Sequence, residues 1–323
     1  MFPEHRPRRL RRNAAIRSML RETKVTTDDI IYPVFIKEGK SIKEPIEQMP
    51  DQFRYSPDNL GRIAKDIVSL GIPAVVLFGI PAKKDSLGTQ SHNKDGVIQN
   101  ATRAIKDAAP DLFIITDVCM CEYTDHGHCG VLDEKGYIIN DDTLEILAQI
   151  AVSHAKAGCD MVAPSDMMDG RVGIIRDALD DSGFDDIPIL SYAVKYASSF
   201  YGPFRQAAGT TIAFGDRKTH QMDPANVREA LREARLDIDE GADILMVKPA
   251  MPYLDVLRVI ADEFEEPLCA YQVSGEYAMI KAAGMNGWLD EDAVVMESIT
   301  SIKRAGADLI ITYFAPKIAQ LLR

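Results

Sequence analysis

From about residue 30 onward, short runs rich in β-branched and other apolar residues alternate with longer amphipathic stretches. Eight such runs can be counted: Ile30 to Ile36, Ala74 to Ile80, Phe113 to Cys119, Met161 to Asp166, Ile187 to Lys195, Asp243 to Pro249, Leu268 to Ser274 and Leu309 to Pro316. They are nearly all apolar rather than alternating, as parallel strands covered on both faces should be. Several intervening segments end in one recurring phrase: Ala-Gly-Cys-Asp at 157–160, Glu-Gly-Ala-Asp at 240–243 and Ala-Gly-Ala-Asp at 305–308. A glycine there can take the left-handed position that ends a helix before the next strand. Eight units averaging about 40 residues, with no Pro-, Gly- or Ser-rich linker between them, predict an α/β fold. The expected architecture is a single (β/α)8 TIM barrel over residues 29–323 behind an extended N-terminal arm, residues 1–28, rather than a doubly wound open sheet or three-layer sandwich. In such a barrel, active-site groups sit at the C-terminal ends of the strands or in the loops that follow them.

Charge changes the picture at one end of the chain. The 323 residues carry a formal net charge of −12, which argues against a nucleic-acid-binding body, because phosphate binding needs a concentrated basic face. Residues 1–21, however, hold seven arginines against Glu4, a net of +6 that leaves −18 on the remainder. Such an arm seeks an acidic surface, and the acidic body of a neighbouring subunit is the favoured candidate over nucleic acid, an import signal or a solvated tail. The longest uninterrupted apolar stretches are a handful of residues, such as Ala74 to Phe78, far short of the ~18 needed to cross a bilayer. A soluble, cytoplasmic protein without membrane contact is expected.

Polar groups close the apolar runs repeatedly: Asp117 and Cys119 the third, Ser165 and Asp166 the fourth, Lys195 the fifth, Lys248 the sixth and Ser274 the seventh, while Tyr313 lies in the eighth. Lys195 and Lys248 directly follow apolar strand residues, where an amine is poorly solvated. Burial and a second amine nearby both lower an amine's pKa, so a pair of inward lysines could supply a neutral nucleophile for attack on a ketone. The blander alternative pairs each lysine with a strand-end carboxylate.

Three of the five cysteines, Cys119, Cys121 and Cys129, form C-x-C-x7-C after the third run, and an extended backbone would turn Asp117, Cys119 and Cys121 to one side. Three thiolates suit Zn2+ with either an open fourth position or a fourth ligand from His126 or His128. Redox chemistry or inert packing is the alternative, and Cys159 and Cys269 read as buried small hydrophobes. The long segment from Tyr196 to Met222, ending before a helix start at Asp223-Pro224, reads as a lid. It carries Arg205, Arg217 and Lys218, and paired guanidinium groups suit a carboxylate-bearing substrate, although arginines on a long loop can also be merely solvated. Glu233, in a helix from Val227 to Asp239 dense in Arg and Glu, reads as a surface charge by its spacing alone.

The stretches Asp-Val-Cys-Met-Cys-Glu-Tyr-Thr-Asp-His-Gly-His-Cys-Gly (117–130), Ala-Pro-Ser-Asp-Met-Met-Asp-Gly-Arg (163–171), Ser-Tyr-Ala-Val-Lys-Tyr-Ala-Ser (191–198) and Met-Val-Lys-Pro-Ala (246–250) together resemble the porphobilinogen synthase family, also called 5-aminolevulinate dehydratases. The likeness extends over essentially the whole chain. It implies condensation of two 5-aminolevulinate molecules to porphobilinogen with loss of two waters, a step of tetrapyrrole (haem) synthesis. Lys248 is then implied to form a Schiff base with the first substrate, whose carboxylate Ser274 and Tyr313 hold. Lys195 is implied to do so with the second, clamped by Arg205 and Arg217 with Gln221 nearby. Asp117 and Ser165 become proton-transfer partners, and Cys119, Cys121 and Cys129 a catalytic zinc site, since some family members replace these cysteines with acidic residues. Glu233 matches the position of an allosteric Mg2+ at a subunit interface, and the family implies homo-octamers in which the arm embraces a neighbouring barrel. The nearest rivals are a class I aldolase, which needs only one such lysine, and a zinc-storage protein, which needs neither.

Overall fold

The computed structural model describes residues 3–323, so the first two residues of the expected arm lie outside it. Ten strands form: β1 Ile30–Lys37, β2 Lys43–Pro45, β3 Phe53–Tyr55, β4 Ala74–Ile80, β5 Phe113–Val118, β6 Met161–Pro164, β7 Leu190–Lys195, β8 Ile244–Lys248, β9 Leu268–Gln272 and β10 Leu309–Thr312. Eight of them run parallel in the order β6-β5-β4-β1-β10-β9-β8-β7. The ends meet through a parallel bridge between Val162 and Ile189, where Val162 N–H donates to the Pro188 carbonyl at 3.1 Å. That join makes the sheet a closed (β/α)8 barrel and disposes of the open-sheet alternative.

Around the barrel lie α2 Leu60–Ser69, α3 Val97–Ala108, α4 Asn140–Ala157, α5 Arg171–Asp181, α7 Arg228–Asp239, α8 Leu254–Glu263, α10 Glu291–Ala305 and α11 Ala315–Leu321, with α6 Gly202–Ala208 and α9 Ser274–Met285 near the mouth. The arm carries one short helix, α1 Ala14–Met19, whose first turn is capped by Asn13 Oδ1 accepting from Ile16 N–H at 3.0 Å. Leu10, Met19 and Leu20 stand exposed along it. Among the described residues, no helix is long and apolar enough to cross a membrane.

The recurring helix-end phrase has two physical functions. Gly158 (φ +96°) closes α4 in the left-handed region, and Gly306 (φ +125°) follows α10 where a Cβ would come 2.4 Å from that of Ala261. The aspartate that follows each glycine locks the next strand to its neighbour. Asp160, Asp243 and Asp308 each donate their N–H to the carbonyl of Ile114, Ile189 and Leu268, respectively. Their carboxylates accept from the same residues' N–H at 2.6, 2.7 and 2.9 Å. These polar locks sit at the N-terminal face of the barrel and leave the opposite face free for chemistry.

The structure corrects several sequence-based boundaries. The fifth run enters its strand at Leu190 rather than Ile187, because Pro188 has no N–H to give a ladder. The seventh strand ends at Gln272, and Ser274 begins α9; the eighth ends at Thr312, which puts Tyr313 one residue past the strand rather than in it. The lid segment is not bare loop, since it contains α6, and the helix expected from Asp223 starts at Arg228. Unforeseen altogether is the β2–β3 hairpin, which pairs antiparallel and adds β3 to the C-terminal half of β1.

Candidate active site

Lys195 and Lys248 are register partners at the ends of adjacent strands, β7 and β8, only 5% and 6% exposed. Rings enclose the Lys248 amine: its Nζ lies 4.4 Å from the centre of Tyr271, 5.0 Å from Tyr192, 5.2 Å from Tyr201 and 5.4 Å from Phe204. Burial, followed by repulsion from Lys195, brings its pKa down from 10.5 to about 7, against the pull of Asp117. Lys195 Nζ donates to the carbonyl oxygen of Ser165 and lies 5.6 Å from the Tyr192 ring. Among the described residues, neither amine forms an ion pair with a carboxylate.

Tyr192 and Lys195, three residues apart, would face opposite sides of a regular strand. A register shift between Ser191 and Val194 brings both to one side. No local pattern marks Tyr192, Tyr201, Phe204 and Tyr271 as the walls of one chamber, so the aromatic enclosure was not foreseen.

Asp117, at the end of β5, is buried, and burial is the main reason its pKa rises to about 8, with Glu122 adding repulsion and both lysines opposing. Ser165 hydrogen-bonds its carboxylate, and its Oδ1 has no partner among the described residues. Around the same chamber, Arg205 Nε, Arg217 Nε and Gln221 Nε2 are buried donors without partners. Burial and then the neighbouring Arg217 push the Arg205 pKa down, so the two guanidiniums are close enough to repel each other. Unpaired buried donors beside crowded positive charge make a site for an anion.

On the other side of Lys248, Tyr313 OH shares a 2.8 Å hydrogen bond with Tyr271 OH, and its ring stacks on Phe35 at 5.9 Å. Ser274 Oγ accepts from Phe204 N–H at 2.9 Å and donates to the Phe200 carbonyl at 3.3 Å. Of the nine expected catalytic and substrate-binding residues, Asp117, Ser165, Lys195 and Lys248 stand at or just past the C-terminal ends of β5 to β8, and Arg205, Arg217, Gln221, Ser274 and Tyr313 in the segments that follow strands.

Cys119, Cys121 and Cys129 converge with their sulfurs all within 4.8 Å, fully buried, in the loop after β5. Among the described residues they form the one group of metal-binding type. Cys119 and Cys121 sulfurs are 3.4 Å apart, and Cys121 lies 3.2 Å from a Glu122 carboxylate oxygen. Hydrogen bonds from the other two thiols, with Arg217 nearby, hold Cys129 well below the usual thiol range. Neither imidazole joins the group: His128 Nε2 meets the Phe214 carbonyl at 3.0 Å, and His126 Nε2 the Ser86 carbonyl at 3.2 Å. Three soft donors with no protein fourth ligand fit zinc with an open position.

Glu233 sits apart from the lysines. It lines a cavity of about 400 Å³ with Asp169, Asp223, Glu229, His220 and Asn140, and burial raises its pKa.

A profile of the delta-aminolevulinic acid dehydratase family matches residues 4–321. The chain is 57% identical to the delta-aminolevulinic acid dehydratase of Halalkalibacterium halodurans, over 98% of this chain and 96% of that one. It is 53% identical to that of Synechococcus elongatus over the full length of both. The crystal structure of delta-aminolevulinic acid dehydratase (porphobilinogen synthase) from Toxoplasma gondii, solved with the reaction product porphobilinogen, superposes with a TM-score of 0.96 at 46% identity, covering 99% of this chain and 92% of that one. A barrel whose mouth holds two buried lysines, unpaired arginines and three convergent thiols, matched along its whole length, belongs to the delta-aminolevulinic acid dehydratase family.

Proposed function

We propose that this chain condenses two molecules of 5-aminolevulinate to porphobilinogen with loss of two waters, in tetrapyrrole biosynthesis, through imines on both Lys195 and Lys248. The observation that carries the reading is the pair of amines in register, each buried without a carboxylate ion pair. The neutral Lys248 amine attacks the ketone of one substrate; loss of water leaves an imine that acidifies the neighbouring carbon. Lys195 does the same for the other substrate. Two amines serve two ketones, and two carboxylate subsites lie either side: Ser274 and Tyr313 toward the first substrate, Arg205, Arg217 and Gln221 toward the second.

Asp117, which feels the charge of both lysines, and Ser165, hydrogen-bonded to it, move protons at the substrate carbons and amines. The aromatic walls and α6 keep water from the imines. Cys119, Cys121 and Cys129 would hold zinc, which supplies Lewis acidity toward the second substrate's oxygen when bound.

The deciding experiment is porphobilinogen formation from 5-aminolevulinate by the purified protein, with borohydride reduction and mass mapping of the modified lysines. Adducts on both Lys195 and Lys248 support the reading. An adduct on one lysine with no product returns the chain to single-imine chemistry of the aldolase kind.

The lowered pKa of Lys248 sets a pH dependence. Its amine is protonated below about 7 and nucleophilic above it, so the rate of imine trapping on Lys248 rises with pH and levels off above about 8. Trapping measured as a function of pH checks this, and a limb centred above about 9, near an ordinary amine, removes the activated lysine from the scheme.

Regulation and assembly belong to the same reading. Glu233, with Asp169 and Glu229 beside it, would receive Mg2+. Glu233→Ala is expected to weaken stimulation of the rate by added Mg2+ while leaving both borohydride adducts in place. An unchanged Mg2+ response separates Glu233 from magnesium. The arginine-rich arm, with Leu10, Met19 and Leu20 exposed, suits the acidic barrel of a second copy, in a cytoplasmic homo-octamer.

A further inference from the structure

The β2–β3 hairpin is an addition to the eight-unit barrel, and its contacts point away from the barrel core toward the lid. Arg54, on β3, spends its whole guanidinium on two elements. Its Nε donates to the Ala207 carbonyl and its Nη2 to the Gln206 carbonyl, both at 2.7 Å, while Nη1 donates to Glu44 at 2.6 Å. Glu44, on β2, is itself held by Lys37 at the end of β1. From the loop after β4, Lys84 Nζ donates to the Gly209 carbonyl at 2.7 Å.

Gln206, Ala207 and Gly209 are the last residues of α6 and its left-handed cap. The final carbonyls of a helix have no partner within it, and cations there also answer the negative end of the helix dipole. A seven-residue helix has little stability of its own, so what holds its two ends decides where it sits. The N-terminal part is fixed by Ser274 beneath the Phe204 N–H and by Phe204 packed at 5.6 Å on Phe35 and 5.1 Å on Phe78. Its C-terminal part is fixed by Arg54 and Lys84. Between those two anchors lies Arg205, beside Arg217 and next to Phe204, whose ring is 5.4 Å from the Lys248 amine.

We infer that Arg54 and Lys84 are positioning residues that latch the C-terminus of lid helix α6 onto the barrel, hold Arg205 in place, and so set the affinity for the second substrate. This rests on the reading of Arg205 as a carboxylate-binding residue. Arg54 reaches its partners across more than 150 residues of sequence. Its side chain is only 14% exposed, which sets it apart from a solvated surface arginine.

The test uses the full-length enzyme with 5-aminolevulinate as substrate and compares Arg54→Ala, Arg54→Lys, Lys84→Met and Arg205→Ala. Arg54→Ala is expected to raise KM about tenfold or more with a much smaller change in kcat, since the chemistry at the lysines is intact once substrate is bound. Lys84→Met moves KM the same way by less, and Arg54→Lys recovers part of the loss. In Arg54→Ala, amide hydrogen exchange of residues 202–210 speeds up while that of the barrel strands does not. The imine on Lys248 still traps at saturating substrate.

The controls separate the two layers of the argument. Arg205→Ala without a rise in KM overturns the carboxylate reading on which the latch rests. A rise in KM for Arg205→Ala but none for Arg54→Ala or Lys84→Met overturns the latch and leaves the carboxylate reading standing. Loss of kcat together with faster exchange in the barrel strands makes Arg54 a plain structural residue and also overturns the latch. Should Arg54→Ala fail to fold, Lys84→Met, which removes the hydrogen bond to Gly209 together with a charge near Glu122 and Cys121, decides by a rise in KM that comes with faster exchange of residues 202–210; a rise in KM without faster exchange there overturns the latch.

Discussion

Methionine in place of Lys248 abolishes porphobilinogen formation, by about four orders of magnitude or more in kcat, while leaving the barrel folded. The rate loss follows from the role of the amine: its register partner Lys195 is already committed to the second substrate and cannot take its place. Unlike most substitutions of buried residues, this one is expected not to weaken the fold. A lysine whose pKa falls from 10.5 in the unfolded chain to about 7 in the fold binds fewer protons when folded. It therefore weakens the fold wherever the unfolded chain keeps it charged, fully below about pH 7 and progressively less up to about 10.5. Methionine fills much of the space among Tyr192, Tyr201, Phe204 and Tyr271 without that penalty. Calorimetry should show a melting temperature equal to or above that of the parent, with the largest gain at low pH. Lys195→Met is expected to be equally inactive. Survival of product formation in either variant would falsify the two-imine scheme and favour single-lysine chemistry.

The second large effect is at the thiols. Cys119→Ala is expected to reduce kcat by about a hundredfold to ten-thousandfold, the scale of several kcal/mol of lost Lewis-acid assistance. Bound zinc per chain, measured by atomic absorption, should fall with it. The cooperative melting transition should survive, because Cys119 lies in the loop just past the end of β5, outside the ring of strand pairings that closes the barrel. A chelator applied to the parent protein should reproduce the loss, and added zinc should reverse it. Collapse of the melting transition in Cys119→Ala would instead make the metal a structural one, and full activity without zinc would leave the thiols with no part in the reaction.

Taken by itself, the sequence determined the barrel and several of the polar groups that close its strands. A strand buried on both faces must be apolar throughout, so runs such as Ala74 to Phe78 announce themselves, and the glycine and aspartate between helix and strand repeat because the same turn is built each time. Lysines set against those runs, and thiols spaced C-x-C-x7-C, are local patterns, and the chamber contains both. Other features depended on residues that are distant in sequence or on irregular backbone. The three-residue strands of the hairpin, Lys-Glu-Pro and Phe-Arg-Tyr, are too short and too polar to carry a period. Only closure of the barrel puts Arg54 against α6, and only the shift in β7 turns Tyr192 toward Lys195. Whether His126 or His128 would join the cysteines or leave the fourth position open was likewise undecided until backbone carbonyls from residues 86 and 214 were seen to take both imidazoles. Periodicity reports which face of an element is buried; which partner it is buried against is set by register and closure, and these exist only in the folded chain.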